Sequence, residues 1–308
     1  MDDELEVVDA GAVRAFGGDA SKDARLQRLR RGQYAVAASI ERASIEQRYR
    51  ARIVAAHRAR SRMIFALESA LLLHGLPIDG APTYVFGTGD PSASGARADI
   101  RCSNLPIPDE HVVEVEGVRC SSVAWTLADV ARRRLPGSSV AAIDAALRSG
   151  SVAREAVSEA LTLQSRQHRL RARWALAFAD PASESVGESR SRVAIAVLGF
   201  RAPRLQVEVE TRAGRFRSDF GWELDGRLLL GEFDGLRKYG PLASAVGRSA
   251  RDVLVDEKRR EDALREVADI RRWTWADLAE PRRLERLLAD AGVPQRHRAL
   301  PIGVRLLR

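Results

Sequence analysis

Cysteine and lysine are scarce in this 308-residue chain. Two cysteines, Cys102 and Cys120, are too few and too far apart to build a disulfide scaffold or a cysteine zinc site. Three lysines, Lys22, Lys238 and Lys258, stand among 50 basic residues, so arginine carries nearly all the positive charge. His57, His74, His111, His168 and His297 form no metal-ligand spacing. No apolar run approaches the ~18 residues of a membrane span. The acidic start MDDELEVVDA lacks the basic, then apolar, layout of a secretory signal. Gly87 and Gly89 alone do not make a phosphate loop, and no Ser-centred nucleophile motif is present. A soluble, cytoplasmic protein with no membrane partner is the expectation.

What is present is a globular composition, 45% hydrophobic and 30% charged, with length for two or three domains. The net charge is +8, and the last 125 residues carry 25 basic against 20 acidic side chains. A basic field draws polyanions, which puts DNA first among partners. Arginine excess from a GC-rich genome would give the same balance without a ligand.

Residues 1–60 read as helical and polar. There RLQRLRRGQY leads from a short helix through a basic turn into a strand from Tyr34 to Ala38. Arg28, Arg30 and Arg31 would then sit as a winged helix-turn-helix presents its wing to phosphates. Residues 63–74, MIFALESALLLH, predict one buried helix stopped by Gly75 and Pro77. Strands are predicted at Thr83–Thr88, His111–Val115 and Val118–Ser121. Helices follow over Ser122–Arg134, Ser138–Arg148 and Ser151–Arg173, and Asp180–Ser183 reads as a linker. The pieces RLRRGQYAV, ESALLLHGLPI, GVRCSSVAWTLADVARR and DAALRSG resemble the AbiEi-type antitoxin family of abortive-infection systems, over roughly residues 20–150. The resemblance implies a winged-helix DNA-binding module followed by an α/β interaction domain. A cognate toxin or defence-system protein would be the partner.

The last third reads as αβββαβα. Glu184–Leu198 is a helix closed by Gly199, and strands follow at Leu205–Glu210, Phe216–Trp222 and Leu228–Phe233. A polar helix spans Ser244–Val267, then a strand Asp269–Thr274 and a helix Trp275–Ala289. Leu228–Phe233 is apolar on both faces and belongs in the middle of a sheet. Glu232 and Asp234, two residues apart at its end, share a face, and Asp219 on the preceding strand can reach the same end. Carboxylates gathered there would repel one another unless a divalent cation such as Mg²⁺ or Mn²⁺ compensates them. Each has a plain alternative: a turn at Asp234-Gly235, a pairing of Asp219 with Arg217 or Arg237, and an i,i+4 pair between Glu188 and Arg192.

The stretches ES-VGESRSR, RSDFGWEL, LLLGEFDGLRKYG, EKRREDALRE and IRRWTWADL resemble the very-short-patch-repair-like branch of the PD-(D/E)xK nucleases, over residues 184–290. The resemblance implies Asp219 and Glu232 as the signature acids and Glu188 as the first-helix acid, with Glu184 its fallback. Together with Asp234 these would hold the metal, and Gln206 would match a recurrent glutamine. The position of the usual lysine holds Asp234, so Lys238 would supply the cation from four residues on. Lys258, Arg260 and Arg272 would contact phosphate or pair with the acids. The expected fold class is α/β: an N-terminal winged-helix-like and α/β module, then a PD-(D/E)xK nuclease-like αβββαβ domain, divided as 1–60, 61–175 and 184–308. The leading expectation is a metal-dependent DNA endonuclease. The alternative is a non-catalytic, DNA-binding AbiEi-like antitoxin or transcriptional regulator with a degenerate nuclease fold.

Overall fold

The computed structural model describes residues 5–88, 95–97, 99–103, 106–235, 259–260 and 262–296. Their contacts form two compact units, residues 1–134 with 149–169, and residues 135–148 with 170–308.

The first unit opens with β1 (Val7–Asp9), α1 (Ala10–Ala15), β2 (Leu26–Arg30), β3 (Gln33–Val36), α2 (Ala37–Arg42) and α3 (Ile45–Ala59). The three strands form an antiparallel sheet in the order β1-β3-β2. The short helix predicted around Arg25–Arg30 is a strand instead. Leu29 packs toward Val7, Ala51 and Ala55, while Arg28 is exposed. The register shift between Arg28 and Arg30 breaks the regular alternation of this strand. Gly32, at φ +79°, closes the hairpin at a position that favours glycine. Ser44 and Gln47 form a capping box that starts α3.

Six further strands follow: β4 (Ile64–Phe65), β5 (Val85–Thr88), β6 (Gly95–Arg97), β7 (Ile100–Ser103), β8 (Val112–Val115) and β9 (Val118–Ser121). They make one mixed sheet in the order β6-β7-β5-β4-β9-β8. Helices α4 (Glu68–Leu73) and α5 (Val123–Arg133) lie along the same stretch. Next come α6 (Pro136–Arg148), which belongs to the second unit, and α7 (Arg154–Leu163). The single helix predicted over 63–74 starts as strand β4, which pairs with β5 and β9. An apolar run that is buried on all sides does not reveal its period, so sequence could not separate the two. His74 follows the last residue of α4 at its C-cap position, and its Nε2 lies 2.7 Å from the Ser121 carbonyl.

The second unit adds α8 (Arg169–Phe178), α9 (Val186–Val197), β10 (Arg204–Thr211), β11 (Gly214–Leu224) and β12 (Arg227–Asp234). It ends with β13 (Asp269–Thr274), α10 (Trp275–Ala279) and α11 (Pro281–Asp290). The helix predicted through 151–173 is therefore two helices, parted where His168 takes a φ of +57°. Trp275–Ala289 is likewise two, with Pro281 opening the second. The sheet order is β10-β11-β12-β13, with β12 antiparallel to β11 and parallel to β13. Asp225 and Gly226, both at positive φ, make the tight β11–β12 turn. The two-faced strand β12 is central, as its apolar pattern requires. Leu229, Phe233, Phe220, Trp222 and Trp273 pack under α9 and α11 on one face. Leu230, Val207, Val209 and Leu264 fill the other. Of the helix predicted over Ser244–Val267, the described residues 259–260 and 262–265 are helical, and the rest up to 258 lies outside the described residues.

The segment read as a linker is packed. Ser183 is buried; its carbonyl accepts from the Arg148 guanidinium and its hydroxyl from Arg192. At the centre lies Asp144 of α6, fully buried. It accepts from Arg192 Nη1 at 2.9 Å, Ser189 Oγ at 2.7 Å and the Asp180 amide at 2.7 Å. Arg192 also donates to the Phe178 carbonyl, 2.7 Å away, and lies over the Phe178 ring. One ion pair thus fastens α6, α8 and α9 together.

Removing one partner of such a pair strands a buried charge, so Asp144→Ala should destabilise the unit by about 3–5 kcal/mol in urea unfolding. Burial pushes the Asp144 carboxyl up to about 6, against the opposing pull of Arg192. The folded state therefore holds this proton more tightly than the unfolded chain. The carboxyl's contribution to stability is full below about pH 4 and declines as pH rises through about 6. Urea unfolding of wild type and Asp144→Asn across this range should show the decline in wild type alone; parallel curves would refute it.

Candidate functional site

Two groups of the sequence-derived residues can be placed. The first is the β2–β3 hairpin. Arg28 and Arg31 are exposed, and Arg30 is partly buried, with its Nη1 lacking a hydrogen-bond partner among the described residues. Gln33, just past the turn, is tied to Asp9 through Nε2–Oδ2 at 2.5 Å, which anchors the hairpin to β1. Among the described residues ahead of it there is one helix, the six-residue α1. The exposed Arg28 and Arg31 therefore sit on a hairpin that precedes the helices α2 and α3.

The second group lies at one end of the four-stranded sheet. Glu188 sits in the first turn of α9, where Ser185 is the N-cap. Its Oε1 accepts from Ser185 Oγ at 2.7 Å. Its Oε2 accepts from the Glu184 amide and from Gln206 Nε2, both at 2.9 Å. A carboxylate here satisfies helix-end N–H groups and complements the helix dipole. The i,i+4 partner expected for it, Arg192, is instead turned to Asp144. Glu184 pairs with Arg217 on the surface at 2.8 Å.

Gln206 reaches Glu188 because its φ is +49°. In a regular strand Leu205 and Val207 would share a face. Here Leu205 packs against the Phe220–Trp222 core while Val207 joins the opposite one, so the strand turns over at Gln206. Its neighbour β11 does the same across Asp219: Phe216 belongs to the Val207 side and Phe220 to the other. The β11–β12 register runs from Leu224↔Arg227 to Phe220↔Gly231 and stops. Beyond it the Asp219 carboxylate accepts from the Phe233 amide at 2.9 Å, taking the place of a backbone acceptor.

Glu232 is buried on the face it shares with Leu228 and Leu230. Its Oε2 accepts from Arg272 Nε at 2.9 Å, and its Oε1 pairs with the Arg260 guanidinium. Asp234 ends β12 opposite Thr274, half-buried. Lys238 and Lys258 lie outside the described residues. The structure thus brings Glu188 to Gln206, Asp219 to the backbone of Phe233, and Glu232 to Arg260 and Arg272. Among the described residues no group of three or more His, Cys, Asp or Glu is placed to hold a metal ion. With both oxygens of Glu188 and of Glu232 engaged inside the protein, the side chains as placed do not fit Mg²⁺.

Sequence reading missed the partner of Arg192, since Asp144 lies 48 positions away on another helix. It also missed the cluster in which Trp275 meets the Phe233 ring edge-on at 4.9 Å and carries Arg190 over its face. The RWTW pair was the available signal.

Residues 64–178 match the AbiEi antitoxin C-terminal domain. The match runs from the first residue of β4 to the last of α8. It takes in the six-stranded sheet of the first unit and α6 of the second. The chain is also similar to uncharacterised proteins from two strains of Mycobacterium tuberculosis. Each is 32% identical over 161 residues, covering 48% of this chain and 59% of the relative. The chain therefore spans about 59% of the length of these relatives. No described helix is long and apolar enough to cross a membrane.

The close fit of α9 on the sheet end gives a direct test. A Cβ at Gly187 would stand 1.9 Å from the Phe233 ring, which is held in turn by Trp275. Gly187→Ala gains about 1 kcal/mol of helix propensity. Displacing a packed ring costs more, about 1–3 kcal/mol. A net loss of stability is expected in thermal unfolding, and a rise in Tm would contradict the packing.

Proposed function

We propose that this protein is an AbiEi-like antitoxin or transcriptional regulator that binds DNA through its N-terminal hairpin and engages a cognate toxin through the following α/β part. The observation that carries this reading is the match of residues 64–178 to the AbiEi antitoxin C-terminal domain. The net charge of +8 and the exposure of Arg28 and Arg31 beside Arg30 support the DNA side. Guanidiniums on a β-hairpin can bind phosphate oxygens bidentately while the turn tracks a groove. Such pairings position the protein on a duplex and make its affinity fall with salt.

Substituting Arg28, Arg30 and Arg31 by Ala should weaken DNA retention in a mobility-shift titration. The slope of log affinity against log salt should become shallower by about 0.9 for each phosphate that is no longer neutralised. Unchanged affinity and slope would remove the hairpin from the interface. Co-expression with the product of the adjacent reading frame tests the partner: relief of that protein's growth arrest is expected.

Mg²⁺-dependent endonuclease activity is the second reading. The αβββ order of α9 and β10–β12 and the arrival of Asp219 and Glu232 at one end of the sheet favour it, while the internal pairing of Glu188 and Glu232 weighs against it. Cleavage of any DNA form with Mg²⁺ or Mn²⁺, abolished by Glu232→Ala while DNA retention survives, would establish it.

A further inference from the structure

The sheet end raises a question the antitoxin reading leaves open: what compensates its acids? Glu232 is 8% exposed, and both its oxygens are bound to arginine. Arg272 is its cross-strand neighbour, since the parallel β12–β13 register sets Glu232 directly against it. The sheet register therefore fixes the Cα of Arg272 opposite Glu232, from where its guanidinium reaches the carboxylate. Arg260 approaches from the helical segment that carries Leu264 into the core. It adds a second hydrogen bond to Glu232 at 3.5 Å and a further donation to the Arg217 carbonyl at 3.4 Å.

We infer that Arg260 and Arg272 are the resident counter-cations of this sheet end, occupying the place a divalent metal would need, and that the site is built to work without one. Guanidinium stays protonated at any accessible pH, so neither arginine can be neutralised to make room. A divalent ion arriving at Glu232 would meet two positive charges already paired with the same carboxylate. Two of the other three acids, Asp219 and Glu188, offer it little. Asp219 completes a β-ladder, and Glu188 belongs to a helix cap with both oxygens in use. A buried carboxylate must have compensation from somewhere, and here the chain supplies its own.

The test uses the full chain and Mn²⁺ as the probe. Calorimetric titration of wild type should show no saturable Mn²⁺ binding, and neither EDTA nor excess Mg²⁺ should move its Tm. Saturable Mn²⁺ binding that Glu232→Gln abolishes would overturn the inference. Arg260→Met with Arg272→Met should lower Tm, and Mn²⁺ should then raise it by filling the vacated place. Adding Glu232→Met to that pair should recover the loss, because the charge that needed compensation is gone. If the double variant fails to fold, the triple variant should still fold; a triple variant no more stable than the double would count against the arginines as counter-cations. DNA retention, measured on the same samples, reports on the antitoxin reading separately.

Discussion

The Asp144–Arg192 pair is the constraint on which the second unit depends. A fully buried carboxylate and a nearly buried guanidinium lose their hydration together, and each is tolerable only with the other in place. Around them the remaining valences are met by Ser189, Ser183, the Asp180 amide and the Phe178 carbonyl. The pair fixes where α9 begins relative to α6 and α8. That start places Glu188, capped by Ser185, at Gln206, and Gly187 against Phe233. The geometry of the sheet end is thus set from a buried ion pair on the far side of α9.

This arrangement also explains why a family boundary and a structural boundary differ. The AbiEi antitoxin C-terminal match ends with α8, yet α6 and most of α8 are grouped with the C-terminal sheet. Helix α6 leaves the first unit because its buried acid needs a buried base, and the base is on α9. The polar contacts of Asp144 and Arg192 join α6, α8 and α9 within the second unit, with Ser183 packed beside them.

Arginine serves three ends in this chain, and only position in the fold distinguishes them. Arg192 and Arg132 are buried and hydrogen-bonded to acids and carbonyls. Arg260 and Arg272 face one carboxylate at a sheet end. Arg28 and Arg31 project from a hairpin. An exposed guanidinium keeps its hydration until a ligand displaces it, whereas an internally paired one has already exchanged it. By that difference the hairpin guanidiniums of Arg28 and Arg31 keep their hydration, while those of Arg260 and Arg272 at the sheet end have exchanged it for a carboxylate.

Much of this was legible from sequence. Period-two patterning and paired turn residues located β9 through β13, and the two-faced run Leu228–Phe233 identified the central strand. The caps at Ser122 and Ser185 and the chain reversal at Asp225-Gly226 follow from local chemistry. Where the reading failed, the local signal was ambiguous: the apolar run at Met63–Phe65 and the arginine-rich Leu26–Arg30 suit either helix or strand. What local chemistry could not decide was which charges meet. Glu188 and Arg192 are four residues apart and unpaired, while Asp144 and Arg192 are distant and joined. The turnover of β10 and β11 at Gln206 and Asp219 likewise arises only when both strands lie side by side. Backbone preference and side-chain period are written residue by residue, so sequence alone determined the elements and their order. The pairing of buried charges is a property of three-dimensional desolvation, and only the tertiary structure assigned it.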